Sequence, residues 1–454
     1  MNHAPRHGLP LYLLLAALLA LPLLTTDVRA QAMAPAAETS LSQTDAVARA
    51  ETFLSALDAG DWEQAHRMLD ATAAAALPAA KLAEVWESLG SQLGARVERS
   101  PAQAERLGGV DVLTSRLRFP AMSLDARVHF DAAGKIDGFR IVPATTEPTP
   151  ATPPPADSGI TEEDRTVAGL SAKLTLPSSR APSPAVVLVH GSGPNDMDET
   201  IGPNKPFRDI AHGLAARGVA VLRYHKRTKQ RPQDFTPTST LDDESIDDAL
   251  DAVALLRAEP RVDAKRINVA GHSLGGLVAP RIASRDSELG GIILLAAPAR
   301  KTHHVVPLQV RYIAQLDGTI DEAEAKSIAE FDAQRDAIDS MLDGGPEPET
   351  LMFGGSAAYW RDLGGYDPVR TAESLTLPIL VLQGGRDYQI TAADDFSRWQ
   401  AFAEGRSHVQ TRLFPKLNHL FIAGEGASTP QEYLQPGQVD SSVIDAMATW
   451  IGAL

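Results

Sequence analysis

The chain has 454 residues, enough for two domains, and 44% of them are hydrophobic, enough to fill ordinary cores. A formal net charge of −16 argues against nucleic acid as a main partner, because phosphate binding needs clustered Lys and Arg. There is no cysteine, which excludes disulfides, a thiol nucleophile, a lipid-modified cysteine and a thiolate metal site.

In chain order, the first element is a targeting segment. MNHAPRHG carries Arg6, an apolar stretch LPLYLLLAALLALPLL follows, and Val28 and Ala30 flank a cut before Gln31. This three-part pattern predicts a secretory signal over residues 1–30. Its apolar core of about 16 residues falls short of the roughly 20 that a spanning helix needs. No membrane span is therefore expected after cleavage, and the mature protein is expected to be exported, to the periplasm or beyond.

Residues 41–143 read as a small α+β domain, helices first and strands after. TDAVARAETFLSALDAG places Val47, Ala50, Phe53, Leu54 and Leu57 at helical spacing, with Thr44 or Asp45 as cap and Gly60 as stop. DWEQAHRMLD and KLAEVWESLGSQLG read as two further helices. VERS, DVLTSRLRF and LDARVHFDAAGKIDGFRIV read as strands, with DAAGKI as a hairpin turn. His66 and His129 stand alone, and no nucleophile–base pair appears. Residues 144–158, ATTEPTPATPPPADS, are rich in Pro, Thr and Ala and read as an extended linker.

Residues 159–454 alternate strand and helix. The continuous apolar run at 185–191 reads as a strand buried on both faces, and 219–224, 266–273, 291–298, 378–384 and 409–415 read as further strands. Helical stretches between them predict a mostly parallel sheet with helices on both sides.

One of those strands, RINVAGHS, runs into Gly271-His272-Ser273-Leu274-Gly275 and then a helical run. Glycines two before and two after the serine allow a sharp strand-to-helix turn that lifts the hydroxyl above the sheet edge. A hydroxyl needs a base to take its proton and a carboxylate to orient that base. Asp387, in the loop after PILVLQG, and His419, after VQTRLFP, supply them at the same sheet edge and in the order serine, acid, histidine. Asp394 and Asp395 are weaker rivals for the acid, and His408 precedes its strand and falls at the wrong end. The backbone N–H of Leu274 is the expected first oxyanion donor. The second is expected from the glycine-rich loop His190-Gly191-Ser192-Gly193, with Ser192 N–H first and Gly191 N–H as the neighbouring option. Tyr224, at a strand end, is a candidate for lining the substrate site, as is His225. Asn195, Asp196, Asp198 and Glu199 read as loop packing or surface acidity, and His303-His304 as solvated. The aromatics Phe353, Tyr359 and Trp360 read as core. No cofactor and no metal is called for.

These residues resemble the α/β-hydrolase superfamily over residues 160–454. VLVHGSGPNDMDETIGPNKPFRDIAHGLAARGVAVLRYHKRT is similar, more narrowly, to bacterial serine esterases near the dienelactone hydrolases and prolyl-oligopeptidase-like hydrolases. Members of that group carry a small N-terminal domain of the DUF3887 type, which residues 41–143 resemble. The resemblance implies an α/β-hydrolase fold with a helical lid at about 300–370, and a carboxylesterase acting on small-molecule, short-chain acyl esters. Dienelactone hydrolases proper use a cysteine nucleophile, which this chain lacks, so their substrate is not carried over. Two other readings stand beside it: a peptidase of prolyl-oligopeptidase type, and a binding protein on a hydrolase scaffold. The small domain is a candidate module for homo-oligomer formation.

Overall fold

A computed structural model describes residues 42–93, 95–107, 110–119, 123–144, 159–179 and 182–454. The expected signal, and the expected linker after its first residue, lie outside the described residues. The chain divides into two compact units, one on each side of that linker.

In the first unit, helices α1 (Gln43–Asp58), α2 (Trp62–Met68), α3 (Ala71–Ala76) and α4 (Ala79–Leu93) precede strands β1 (Glu98–Arg99), β2 (Gln103–Leu107), β3 (Val110–Arg118), β4 (Ser123–Phe130) and β5 (Ile136–Pro143). The strands form one antiparallel sheet in the order β1-β3-β4-β5, with β2 also pairing β3. Helix α1 buries Ala50, Phe53, Leu54 and Leu57, and Phe53 meets Phe139 of β5 edge-on at 5.0 Å. Its cap is Ser42, whose hydroxyl accepts from Asp45 N–H, and not Thr44 or Asp45. The cap stands three residues before the amide it satisfies, so the helix starts earlier than its apolar stripe. Gly60 ends it at φ 72°. The expected DAAGKI hairpin forms, with Gly134 at φ 75° in its turn.

The second unit is built on eight strands: β6 (Ile160–Val167), β7 (Leu170–Pro177), β8 (Ser183–Val189), β9 (Ala220–Tyr224), β10 (Val262–His272), β11 (Gly291–Leu295), β12 (Ile379–Gly384) and β13 (Val409–Phe414). Their order is β13-β12-β11-β10-β8-β9-β7-β6. The six strands from β8 onward pair in parallel, and β6–β7 is an antiparallel hairpin added at the β9 edge. The helices are α5 (Pro206–Ala215), α6 (Arg227–Gln230), α7 (Asp247–Arg257), α8 (Leu274–Arg285), α9 (Thr302–Ala314), α10 (Glu322–Leu342), α11 (Ala357–Gly365), α12 (Pro368–Ala372), α13 (Ser397–Ala403) and α14 (Ser441–Ala453).

Strands such as Ala185–Val189 and Ile292–Leu295 are buried on both faces, which is why they read as unbroken apolar runs. One face packs with Leu277, Val278 and Ile282 of α8 and with Val253 of α7; the other packs with Phe207 and Ile210 of α5 and Met447 and Trp450 of α14. Each such Val or Leu contributes about 1.5–3 kcal/mol on burial. Parallel pairing brings the C-terminal ends of six strands to one edge, where the site lies. Among the described residues, no helix is long and apolar enough to cross a membrane.

Candidate active site

At the end of β10 the chain turns at Ser273 directly into α8. Ser273 sits at φ 53°, ψ −115°, a region that costs a residue with a side chain about 1–3 kcal/mol. Its N–H donates to the Leu295 carbonyl at 2.9 Å, tying the turn to β11. Two glycines let the strands and helix close on it. A Cβ on Gly271 would stand 2.0 Å from the Gly275 carbonyl oxygen, and one on Gly275 would stand 2.1 Å from that of Val189. The half-buried Ser273 therefore faces a pocket that it shares with His419, His272, Leu274, Ser192 and Gly191.

His419 follows β13, on a turn held by Asn418, whose Oδ1 accepts the N–H groups of Leu420 and Ile422 at 3.0 and 3.1 Å. Its Nδ1 donates to Asp387 Oδ2 at 2.7 Å, which leaves Nε2 for the pocket side. Asp387, after β12, is buried and fully engaged. Oδ1 accepts from Gln389 N–H and Ile390 N–H at 2.8 and 2.9 Å, and Oδ2 also accepts from Gln383 Nε2 at 3.0 Å. Ser273 and His419 line the same pocket without a direct hydrogen bond between them. The rival acid Asp395 is committed elsewhere: its carboxylate binds the Arg300 guanidinium and the N–H groups of Ala299 and Arg300.

The loop after β8 is fixed through its carbonyls. The Gly191 carbonyl accepts from buried Lys226 Nζ at 2.8 Å and from Asn195 Nδ2 at 3.1 Å; Asn195 Nδ2 also reaches the Ser192 carbonyl at 3.0 Å. In a trans peptide the C=O and the following N–H point in opposite directions. Anchoring the Gly191 carbonyl from one side thus aims the Ser192 N–H the other way. Leu274 N–H, first in α8, has no partner within its helix. Gly191 is corrected as a donor. Its N–H is already given to Glu199 Oε1 at 2.7 Å.

Tyr224 is also corrected. It is 2% exposed and does not line the pocket. Strand alternation puts it on the face of Ala220 and Leu222, inside the core, where its ring meets His190 edge-on at 5.4 Å. Burial raises its hydroxyl well above the ordinary tyrosine value. His225 is taken up by the loop: its Nδ1 accepts the Met197 N–H at 3.0 Å. Of the acidic loop residues, Asp198 binds Arg223 and Lys205, and Glu199 is 1% exposed against His272. Packing, rather than surface acidity, is their role. The sequence marks Glu199 as loop packing and His272 as part of the serine turn, but carries no signal that the two meet. Burial pushes the neutral His190 down to about 4, and its Nε2 donates to the Asp196 carbonyl at 3.0 Å.

Helices α9, α10 and α11 follow β11, and α9 walls the pocket. Thr302, Val305, Val306 and Gln309 of α9 face Ser273. A second, smaller pocket shares Ser192, Leu274 and Thr302 with the first and is walled by Phe353, Tyr359, Trp360 and Leu363. These aromatics belong to both core and pocket: Trp360 is buried, with Nε1 donating to the Met352 carbonyl at 3.1 Å, and Tyr359 donates its hydroxyl to Glu244 at 2.7 Å. His303 is not solvated. It is fully buried because it lies on the helix face of Val306, Pro307 and Val310. His303 and His304 both reach Asp339 of α10, at 3.0 and 2.8 Å. The three could offer ligand atoms to a metal ion. Ligation through His303 Nε2, however, puts a proton on Nδ1, which is buried with no partner. Burial also lowers its pKa, and the trio acts as a clasp between α9 and α10.

Residues 186–435 match the model of the alpha/beta hydrolase family, and residues 50–139 match a family of unknown function, DUF3887. The chain is similar to esterase EstD of Thermotoga maritima, 39% identical over 399 residues, which span 88% of this chain and 93% of that one. Among solved structures it is similar to the esterase Pf2001 of Pyrococcus furiosus, at 19% identity over 66% of this chain and 94% of the other, with a TM-score of 0.41. It is also similar to Est1E of Butyrivibrio proteoclasticus, at 15% identity over 64% and 99%, with a TM-score of 0.40.

Proposed function

The chain belongs to the α/β-hydrolase family and is a carboxylic ester hydrolase, and on that premise we propose that it is an exported serine esterase for short-chain acyl esters. Ser273 Oγ attacks the ester carbonyl carbon while His419 Nε2 takes its proton. Asp387 holds the imidazole and stabilises its charged form. The tetrahedral oxyanion is received by the N–H groups of Ser192 and Leu274. Collapse breaks the C–O bond, and His419 returns the proton to the departing alcohol. Water, deprotonated by His419, then attacks the acyl-serine and releases the acid.

The observation that carries this reading is the buried Asp387–His419 hydrogen bond on the wall of the pocket that Ser273 enters from a strained turn. The second pocket, beside Ser192 and Leu274 and closed by Trp360 and Leu363, favours a short acyl chain. In this reading residues 159–454 are the catalytic domain and α9–α11 its lid. The small domain is a self-association module, which a strictly monomeric mature chain in gel filtration would remove.

The test is hydrolysis of p-nitrophenyl acetate and butyrate by the mature protein, with and without a serine-directed phosphonate. Turnover, inhibition and an adduct on Ser273 by mass spectrometry are expected. Turnover with an adduct elsewhere, or none, sinks the assignment.

A further inference from the structure

Behind the pocket lie two buried side chains that the proposed reaction does not use. His272, the residue before Ser273, is 5% exposed, and Glu199, on the turn after the Ser192 loop, is 1% exposed. Glu199 takes φ 51°, a left-handed conformation that is unfavourable for a residue with a side chain. Its carboxylate has two partners. Oε1 accepts the Gly191 N–H at 2.7 Å, and Oε2 lies 3.0 Å from His272 Nδ1.

The other ring nitrogen of His272, Nε2, lies 3.0 Å from the backbone carbonyl oxygen of His419. A carbonyl only accepts, so Nε2 carries a proton. Nδ1 faces a carboxylate oxygen that already serves an N–H through its twin, so the stable arrangement has a proton there too. The ring is then an imidazolium against a carboxylate. Burial opposes both charges, yet Glu199 lifts His272 above the ordinary histidine value, and His272 and the Gly191 N–H hold Glu199 below the ordinary carboxylate value. Nδ1 and Oε2 stand off the line of a hydrogen bond, so the attraction is ionic more than directional. The His272 and His419 rings also lie against each other, centroids 4.7 Å apart.

We propose that Glu199 and His272 are positioning residues, a buried ion pair that fixes three loops as one body: the loop presenting Ser192, the turn presenting Ser273 and the loop presenting His419. Each contact serves one of them. Oε1 holds the first loop, the backbone of His272 is the second, and Nε2 holds the third at the carbonyl of His419 itself. The inference rests on the assignment of Ser273 and His419 made above. The titratable and charged groups around the pair are Asp387 and His419 on the two late loops, His190 at the end of β8 and Lys226 after β9.

The test is steady-state kinetics of the full mature chain on p-nitrophenyl acetate. Glu199→Gln, isosteric and still able to accept from Gly191, is expected to lower kcat about 10- to 100-fold with little change in KM, as a small misplacement of reacting groups does. Glu199→Asp, which keeps the charge, is expected to recover part of the loss. His272→Gln removes a positive charge beside the base and makes its protonation easier, so the acidic limb of kcat/KM moves to higher pH. Folded Glu199→Gln and His272→Gln proteins with unaltered kcat and an unmoved limb overturn the proposal. If circular dichroism shows that neither variant folds, the pair is a core element and the positioning role falls. A phosphonate adduct on Ser273 of the unaltered protein separates the two layers: without it the assignment of the nucleophile fails, and with it plus unaffected variants only the ion pair does.

Discussion

The two walls of the pocket are built in different ways. The wall at the sheet edge is backbone and buried polar side chains held by hydrogen bonds: Asp387 accepts four, the Gly191 carbonyl two, and the Ser273 N–H donates one to the Leu295 carbonyl. The wall formed by α9–α11 is mostly apolar side chains, attached at a few points. Gln309 donates to the Gln389 carbonyl at 3.1 Å, Tyr312 stacks on Tyr388 at 4.9 Å, and the His303–Asp339 clasp joins α9 to α10. In the first wall, removing one group strands its buried partner, which costs about 1–3 kcal/mol or more. In the second, a side chain can change size and only the fit changes. In the proposed reaction, then, rate is held by one wall and selectivity by the other.

That contrast can be broken at the sheet edge first. Ser273→Ala is expected to lower kcat on the order of 10⁶-fold, with an unchanged circular dichroism spectrum. Asp387→Asn removes the charge that orients His419, and a drop of about 10⁴-fold in kcat at near-constant KM is expected. A large rise in KM instead would mean that Asp387 shapes binding.

Lys226→Met tests the support beneath. It removes one of the two donors to the Gly191 carbonyl and leaves Glu244 buried without its cation, for a loss of about 3–5 kcal/mol. Adding Glu244→Gln should recover much of the melting temperature, and no recovery would mean that the ion pair is not the source. On the other wall, Leu363→Ala enlarges the second pocket. The ratio of kcat/KM for butyrate over acetate should rise about 10-fold with the acetate kcat close to unaltered.

The smallest effect is on pH. Burial opposes the Glu162 charge, but His212 and Arg223 hold its carboxyl at about 2, and Arg223 continues to Asp198 beside Glu199. A carboxyl held below its ordinary 4.5 stabilises the fold above that pH, and the contribution is lost as pH falls toward 2. Thermal melts of Glu162→Gln between those limits should depend less on pH than those of the unaltered chain.

How much of this could be read from the residues follows the same division. The central parallel strands were legible because burial on both faces leaves continuous apolar runs, whereas the edge strand Val409–Phe414 is exposed along its middle and is marked only by Val409, Leu413 and Phe414. The β6–β7 hairpin was not: ITEEDRTV is polar in sequence because one face is wet, and only LSAKLTL keeps a period of two. The β2 strand QAERL was missed for the same reason. Ser273, Asp387 and His419 stood out as chemistry placed after strands. Tyr224 misled because its position at a strand end was read without its parity, which turns it into the core. His303 misled because its neighbour His304 is exposed, while the i+3 and i+4 positions that bury it were not weighed. The pairing of Glu199 with His272 was invisible since the two are joined only by folding, across 73 residues of chain that carry no shared pattern.

The two glycines at the nucleophile turn have a consequence for how this protein can change over generations. Neither lines the pocket, yet each faces a backbone oxygen at a distance no side chain can occupy. In a library of all single substitutions, Gly271 and Gly275 should be as intolerant as Ser273, while Val305 or Leu363 should accept many replacements. New substrates will be acquired through the helices, and the turn will be inherited unaltered.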